Sequence, residues 1–269
     1  MYVVYNNQLI RSEDLPSFLE NRSFLYGDSL FETMIVRNGC INLFNDHFKR
    51  LKKGSKALRF TFSIQKDLLE SQIHLLLQAN AIDSPARVRL QVWRRSGGYY
   101  TPFTNEVDFI IIVERFERKL SIVSKVNFCT NTFISPSPFS RFKTGNALSF
   151  ILASIEKKEE GLDDVILLNH NKHIVEATSS NIFWEKDNIY YTPSLQTGCV
   201  AGVMRKNIIR LMKTEKLEIQ KGEFSASELL SAHSAFLCNV TGIYPIQRIA
   251  ASSFNITPSY MNKLYTLCV

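Results

Sequence analysis

Apolar and polar positions alternate from the first residues of the chain. Tyr2-Val3-Val4-Tyr5 runs into Asn6-Asn7 and resumes at Gln8-Leu9-Ile10, which predicts a β-hairpin. A second hairpin is expected over 34–43, turned by Asn38-Gly39, a dipeptide that readily takes the two positive φ angles of a type I′ turn. The period then lengthens. Over 45–58, Phe48, Leu51, Ser55 and Leu58 fall on one helical face, with Asn45 or Asp46 as the cap, and Leu68, Leu69, Ile73, Leu75, Leu76 and Leu77 mark a second helix over 66–80. Strands are expected at 86–93 and 107–114, on either side of the Ser96-Gly97-Gly98 loop. The polar stretch from Glu114 to Leu120 marks a domain boundary, giving domains 1–118 and 119–269.

The second half opens with a strand at 123–129 and a Ser/Pro-rich stretch at 132–140, followed by a helix over 146–160. Strands follow at 164–168, 174–175, 182–184 and 189–191, with Asn171-Lys172 and Asp187-Asn188 as turns. Helices at 202–213 and 225–231 precede two short strands, 236–238 and 244–246, around a turn at Thr241-Gly242. Hairpin strands with helices interposed in blocks predict an α+β fold, not a doubly wound parallel sheet.

Composition narrows the class. At 269 residues with 45% hydrophobic and 21% charged positions, the chain has the makeup of an ordinary globular protein of two modest domains. Its net charge of +7 is spread along the length. No aromatic-plus-basic motif accompanies it, so nucleic acid is not an expected partner and small anionic molecules are. Cys40, Cys129, Cys199, Cys238 and Cys268 are scattered without CxxC spacing, which suits a reducing compartment and suggests neither a disulfide framework nor a metal site. The N-terminus lacks a basic leader and no run approaches a membrane span, so the cytoplasm is the expected location.

Candidate chemistry centres on Val175-Glu176-Ala177-Thr178-Ser179-Ser180-Asn181-Ile182-Phe183. A carboxylate between β-prone runs, followed by hydroxyls and an amide, suits protonation of a heteroaromatic nitrogen by a fixed acid; alone, it reads better as an acidic turn with a Ser or Asx cap. Lys143, in Arg141-Phe142-Lys143-Thr144-Gly145-Asn146, stands before an apolar helix and is a Schiff-base candidate if partly desolvated. Arg50 can hold a phosphate bidentately. Backbone amides for the same anion are available at Val200-Ala201-Gly202-Val203-Met204-Arg205, entering a helix, and at Asn239-Val240-Thr241-Gly242.

Gly27-Asp28-Ser29-Leu30-Phe31-Glu32-Thr33, His47-x-x-Arg50-Leu51, Lys143-x-x-Asn146, Glu176-x-x-x-x-Asn181-Ile182-Phe183 and Gly202-Val203-Met204-Arg205 occur in this order across nearly the whole chain. Together they resemble the fold-type IV pyridoxal-phosphate enzymes, which include branched-chain and D-amino-acid aminotransferases and 4-amino-4-deoxychorismate lyases. The resemblance implies a smaller N-terminal α/β sandwich, a larger C-terminal domain with a pseudo-barrel sheet, and a homodimer with its active site between the domains. It implies pyridoxal 5'-phosphate as cofactor and Lys143 as the lysine that carries it. Glu176 would partner the pyridine nitrogen, with Ser180 and Asn181 beside it, and Arg50 with the amides of Val203, Met204, Val240 and Thr241 would form the phosphate cup.

Within that family the details favour the lyases. Phe31 stands where D-amino-acid aminotransferases usually carry tyrosine, and the Ser96-Gly97-Gly98 loop lacks their Arg-x-His pair. Gly202-Val203-Met204-Arg205 resembles the lyase's Gly-Ile-Met-Arg, and Arg94-Arg95-Ser96-Gly97-Gly98 and Cys238-Asn239 resemble its loop and its Cys-Asn pair. The resemblance thus implies release of 4-aminobenzoate and pyruvate from a dianionic substrate, a step of folate biosynthesis, with Phe31 and Arg94 at the substrate. Arg87 and Arg89 are the other candidate carboxylate partners, but they fall on the opposite strand face from Arg94 and read at least as well as surface charges on an edge strand. An aminotransferase acting on branched-chain or D-amino acids is the alternative.

Overall fold

The computed structural model describes residues 1–17, 19–117 and 122–256. The chain divides into two units, Met1–Arg118 with Phe142–Asn146, and Lys119–Arg141 with Ala147–Val269. The expected boundary at 118/119 itself falls outside the described residues, as does Cys268. One expectation needs correction. The segment around Lys143 was expected in the second domain, and it packs with the first.

The first unit holds β1 (Tyr2–Tyr5), β2 (Gln8–Arg11), α1 (Arg22–Tyr26), β3 (Ser29–Arg37), β4 (Cys40–Ile41), α2 (Phe44–Ala57), α3 (Lys66–Ala79), β5 (Ala86–Arg94) and β6 (Val107–Arg115). Its strands form one six-stranded sheet in the order β2-β1-β6-β5-β3-β4, and every pairing is antiparallel. Asn6, Asn7, Asn38 and Gly39 all take positive φ, so both hairpin turns form where the Asn-containing pairs stand. Helix α2 starts differently from expectation. Phe44 is its first residue, Leu43 precedes it at φ 53° without a side-chain cap, and Asp46 lies buried in the first turn. The core between the sheet and helices α2 and α3 includes Leu30, Met34, Leu51, Leu69, Ile73, Leu76, Val88, Leu90 and Ile111.

Residues Phe142–Asn146 are strapped onto β3. The Phe31 amide donates to the Lys143 carbonyl at 2.8 Å and the Gly145 amide to the Ser29 carbonyl at 2.9 Å. Glycine is required at 145, since a Cβ there would lie 2.1 Å from Ser29 Oγ.

The second unit holds β7 (Val126–Phe128), α4 (Leu148–Glu159), β8 (Asp164–Leu168), β9 (Ile174–Ala177), β10 (Asn181–Lys186), β11 (Ile189–Pro193), α5 (Val203–Thr214), β12 (Ile219–Gly222), α6 (Ala226–Leu230), β13 (Ser234–Asn239), β14 (Gly242–Pro245), β15 (Arg248–Ile249) and β16 (Ser252–Ser253). Its described strands make two five-stranded sheets, β12-β11-β10-β13-β14 and β16-β15-β7-β8-β9. A core of Val126, Ile166, Ile174, Ile182, Trp184, Leu237 and Ile246 draws on strands of both. The predicted strand at 123–129 is cut to β7, and the turn before β14 falls at Val240-Thr241 with Gly242 already in the strand. Among the described residues no helix is long and apolar enough to cross a membrane.

Gly145→Ala is expected to lower stability by about 1–3 kcal/mol, because the strap must shift off Ser29. Urea unfolding measures this, and an unchanged midpoint would show that the strap is not held where described.

Candidate active site

Two clusters of functional side chains emerge, one in each unit. In the first, β3 alternates: Leu30, Glu32 and Met34 are buried while Phe31 and Thr33 are only half-covered. The sequence therefore places an acid on the core face. A buried carboxylate needs partners, and α2 supplies them. Arg50 donates through Nε to Glu32 Oε1 at 2.8 Å and through a terminal nitrogen to Oε2 at 2.5 Å, and His47 Nδ1 lies 2.6 Å from Oε2. Burial works to raise the Glu32 pKa, but the Arg50 charge and the hydrogen bonds of Arg50 and His47 outweigh it and bring it from 4.5 down to about 2. This fork fixes the plane of the Arg50 guanidinium. Glu32 and His47 are sites that the sequence reading did not single out, although strand alternation alone puts Glu32 inside.

On the other face of β3, the half-buried Lys143 brings Nζ to 4.7 Å from the Phe31 ring centroid. Arg89 approaches the same ring at 4.3 Å. The edge-strand reading of Arg89 does not hold, because β5 lies between β6 and β3.

Arg94 is also corrected. It is buried, donates from Nε to Asp28 Oδ2 at 2.9 Å and from a terminal nitrogen to the Leu58 carbonyl at 2.8 Å, bonds Asn105, and stacks 4.8 Å over Phe60. A guanidinium engaged on all these sides frames the fold and is not the carboxylate partner expected of it. Arg22, also missed from sequence, shares Asp28 at 2.9 Å and collects the carbonyls of Gly97, Gly98 and Tyr99, so it holds the glycine loop from within.

The second unit builds its cluster around Glu176 of β9, which is 4% exposed. Its Oε1 accepts the Val200 amide at 2.9 Å and its Oε2 accepts Asn181 Nδ2 at 2.9 Å. The same Asn181 nitrogen donates to the Val200 carbonyl at 2.9 Å, so one amide ties the carboxylate to the turn ahead of α5. That turn needs glycine. A Cβ on Gly202 would sit 2.0 Å from Asn181 Oδ1.

Helix α5 then begins at Val203 with no side-chain cap. The amides of Val203 and Met204 belong to its first turn, where helix geometry provides no intrahelical acceptor and the dipole favours an anion. Ser180 accepts Asn239 Nδ2 at 2.9 Å. Thr241 turns both its amide, at 2.8 Å, and its hydroxyl, at 2.5 Å, onto Asn239 Oδ1, and the hydroxyl also bonds Tyr244. This takes the Thr241 amide out of the expected phosphate cup; Val240 stands in the same turn. Cys199, beside the cluster, has its thiol pushed up to about 12 by burial and then by the Glu176 charge, so it stays protonated and unreactive.

The amino-transferase class IV family profile matches residues 29–249. The aminodeoxychorismate lyase of Vibrio harveyi is 26% identical over 87% of this chain and 87% of its own length. That of Bacillus subtilis is 28% identical over 92% of this chain and 86% of its own. A crystal structure of the branched-chain aminotransferase of Thermoproteus uzoniensis superposes with a TM-score of 0.91 at 20% identity, covering 99% of this chain and 93% of that one, which shows the fold.

The Glu32 cluster predicts acid sensitivity. A carboxyl whose pKa is depressed on folding contributes stability above its unfolded pKa and loses it as pH falls through the folded one, here between 4.5 and about 2. Wild type should lose on the order of 3 kcal/mol more over that window than Glu32→Gln, which is the less stable of the two at neutral pH. Equal pH slopes in urea unfolding would contradict the pairing.

Proposed function

The chain belongs to the amino-transferase class IV family, and from its two clusters we propose a pyridoxal-phosphate-dependent lyase that converts 4-amino-4-deoxychorismate to 4-aminobenzoate and pyruvate. The observation that carries the cofactor reading is Glu176, a buried carboxylate fixed by two donors. The rest of the donor set fits the same cofactor. Lys143 is an amine half-sheltered on an aromatic ring, Arg50 is a guanidinium of fixed plane, and α5 offers an uncapped first turn for a phosphate. Bound there, pyridoxal phosphate supplies an aldehyde that condenses with amines and a ring that draws electrons from the amine-bearing carbon.

The residues then divide the work. Glu176 holds the proton on the ring nitrogen, and Asn181 with the Val200 amide holds Glu176. Arg50 and the Val203 and Met204 amides anchor the phosphate. Lys143 removes the proton from the amine-bearing carbon as a general base. The electrons of that C–H bond become ring π electrons while the neighbouring C–O bond breaks. The group departs as an enolate, which takes up a proton at its methylene carbon to become pyruvate, and the ring becomes the aromatic product. No oxidant, water or amino acceptor enters the balance.

The lyase reading draws on the Vibrio harveyi and Bacillus subtilis relatives and on Phe31 and Met204 in the motifs. An aminotransferase acting on branched-chain or D-amino acids is the second reading, supported by the shared fold of the Thermoproteus uzoniensis enzyme. The two differ in one requirement. The lyase releases pyruvate from aminodeoxychorismate without a 2-oxo acid, whereas an aminotransferase needs an acceptor. Acceptor-free pyruvate release is the expected result, and turnover that depends on an added 2-oxo acid would contradict it. Lys143→Ala should lose the borohydride-sensitive absorbance band and at least roughly 10³-fold in turnover; a retained band would remove Lys143 from its role.

A homodimer and a cytoplasmic location complete the proposal. Helix α4 exposes Leu148, Ile151, Leu152 and Ile155 at 65%, 54%, 44% and 47%, an apolar stripe of the kind that a subunit contact covers. Cys40, Cys129 and Cys199 carry free thiols, as suits a reducing compartment. Ile151→Glu with Ile155→Glu should sediment as a monomer where wild type sediments as a dimer, and a double variant that still dimerises would rule out this stripe as the contact.

A further inference from the structure

Four of the described arginines are buried: Arg22, Arg50, Arg94 and Arg205. The first three each pair with a carboxylate, and Arg205 pairs with none among the described residues. One of its terminal nitrogens donates to the Pro193 carbonyl at 2.8 Å, while its Nε has no partner. A guanidinium held out of water without a counter-ion is unfavourable.

Its place in the helix makes this worse. Arg205 is the third residue of α5, in the turn where the helix dipole favours anions and disfavours cations. Helical side chains lean toward the N-terminus, and the Arg205 head accordingly meets the stretch that leads into the helix. It bonds Pro193, and it lowers the pKa of the Cys199 thiol, which burial and then Glu176 raise; that sulfur lies 3.4 Å from the Ser194 carbonyl. The turn at Gly202 packs against its stem, since a Cβ there would lie 3.4 Å from Arg205 Cβ.

The phosphate site proposed above is short of positive charge. The charge of Arg50 is answered by Glu32, whose pKa of about 2 keeps it ionised at neutral pH. The Thr241 amide is turned onto Asn239. Glu176 is answered by the proton on the ring nitrogen. Within the second unit's cluster, Arg205 is then the cation left for the phosphate.

We propose that Arg205 is a positioning residue for the cofactor phosphate: pinned to the end of β11, it puts an uncompensated positive charge behind the first turn of α5, so that the Val203 and Met204 amides hold the phosphate as a dianion. The inference rests on the placement of the phosphate at α5 given above. Exclusion from water lets the charge act without being screened.

The test is phosphorus-31 NMR of the holoenzyme against pH in wild type, Arg205→Gln and Arg205→Lys. Glutamine can keep the bond to Pro193 without the charge, and lysine keeps the charge. A free phosphate monoester passes from dianion to monoanion at about pH 6. Wild type and Arg205→Lys should hold the dianion shift to at least about one unit below that, whereas Arg205→Gln should titrate close to it. Cofactor affinity is measured beside it by reconstituting the full-length apoenzyme. Arg205→Gln should bind pyridoxal phosphate roughly 10-fold more weakly than wild type, and pyridoxal, which lacks the phosphate, equally well. Identical phosphorus titrations in wild type and Arg205→Gln overturn the role of Arg205, as does a parallel loss of pyridoxal, the mark of a merely structural part. A wild-type phosphate that itself titrates at about pH 6 overturns it without any variant. Val203→Pro separates the inference from the placement beneath it, because proline suits the first helical position and removes that amide. Pyridoxal phosphate bound as tightly by Val203→Pro as by wild type overturns the placement at α5 and this inference with it. A loss there with none in Arg205→Gln overturns the role of Arg205 alone.

Discussion

A carboxylate withdrawn from water is costly unless its lone pairs are met, and Glu176 is met on both oxygens, by a backbone amide and by Asn181. Much of the second unit's local geometry follows from that requirement. Asn181 opens β10, so its position is fixed by pairing with Cys238 of β13. Its amide reaches the carbonyl of Val200 as well as Glu176, which draws the approach to α5 against the carboxylate. Only glycine at 202 leaves room for Asn181 there. The helix that follows starts at Val203 with its first amides uncapped, so the carboxylate and the anion-favouring helix end are set by one small group of contacts.

The first unit separates framework from chemistry by the two faces of β3. On the core face, Glu32 pairs with Arg50 and meets His47, and nearby Asp28 is shared by Arg22 and Arg94. These are buried pairs whose loss would strand a charge, so they rigidify the strand and the glycine loop without taking part in a reaction. On the opposite face, Phe31 carries Lys143 and Arg89. One residue of strand register separates an arginine partner from a platform for chemistry.

Much of this could be read from the residues because it is local. Asn-Gly and Asn-Asn turns, the helical period in 66–80 and the alternation in β5 depend on neighbours a few positions away, and they form as expected. Glu176, Asn181 and Lys143 could be picked out only as an ordered set of motifs. What escaped depends on distant partners. Arg94 meets Asp28 from 66 positions away and Arg22 meets the glycine loop from 75 or more, so composition and period carry no trace of either. The strap at 142–146 joins the first unit through hydrogen bonds to β3, although it is separated from that unit in sequence by 23 residues, 119–141. Thr241 was misread for a local reason: Asn239 two residues earlier captures its amide, as asparagine often does in a turn.

The central claim is that Glu176 keeps the ring nitrogen of a bound cofactor protonated. The nitrogen-15 chemical shift of ring-labelled pyridoxal phosphate, measured in the holoenzyme and in Glu176→Gln, tests it most directly. A protonated nitrogen in wild type that becomes unprotonated in Glu176→Gln is the expected result. The same protonation state in both proteins would contradict the claim.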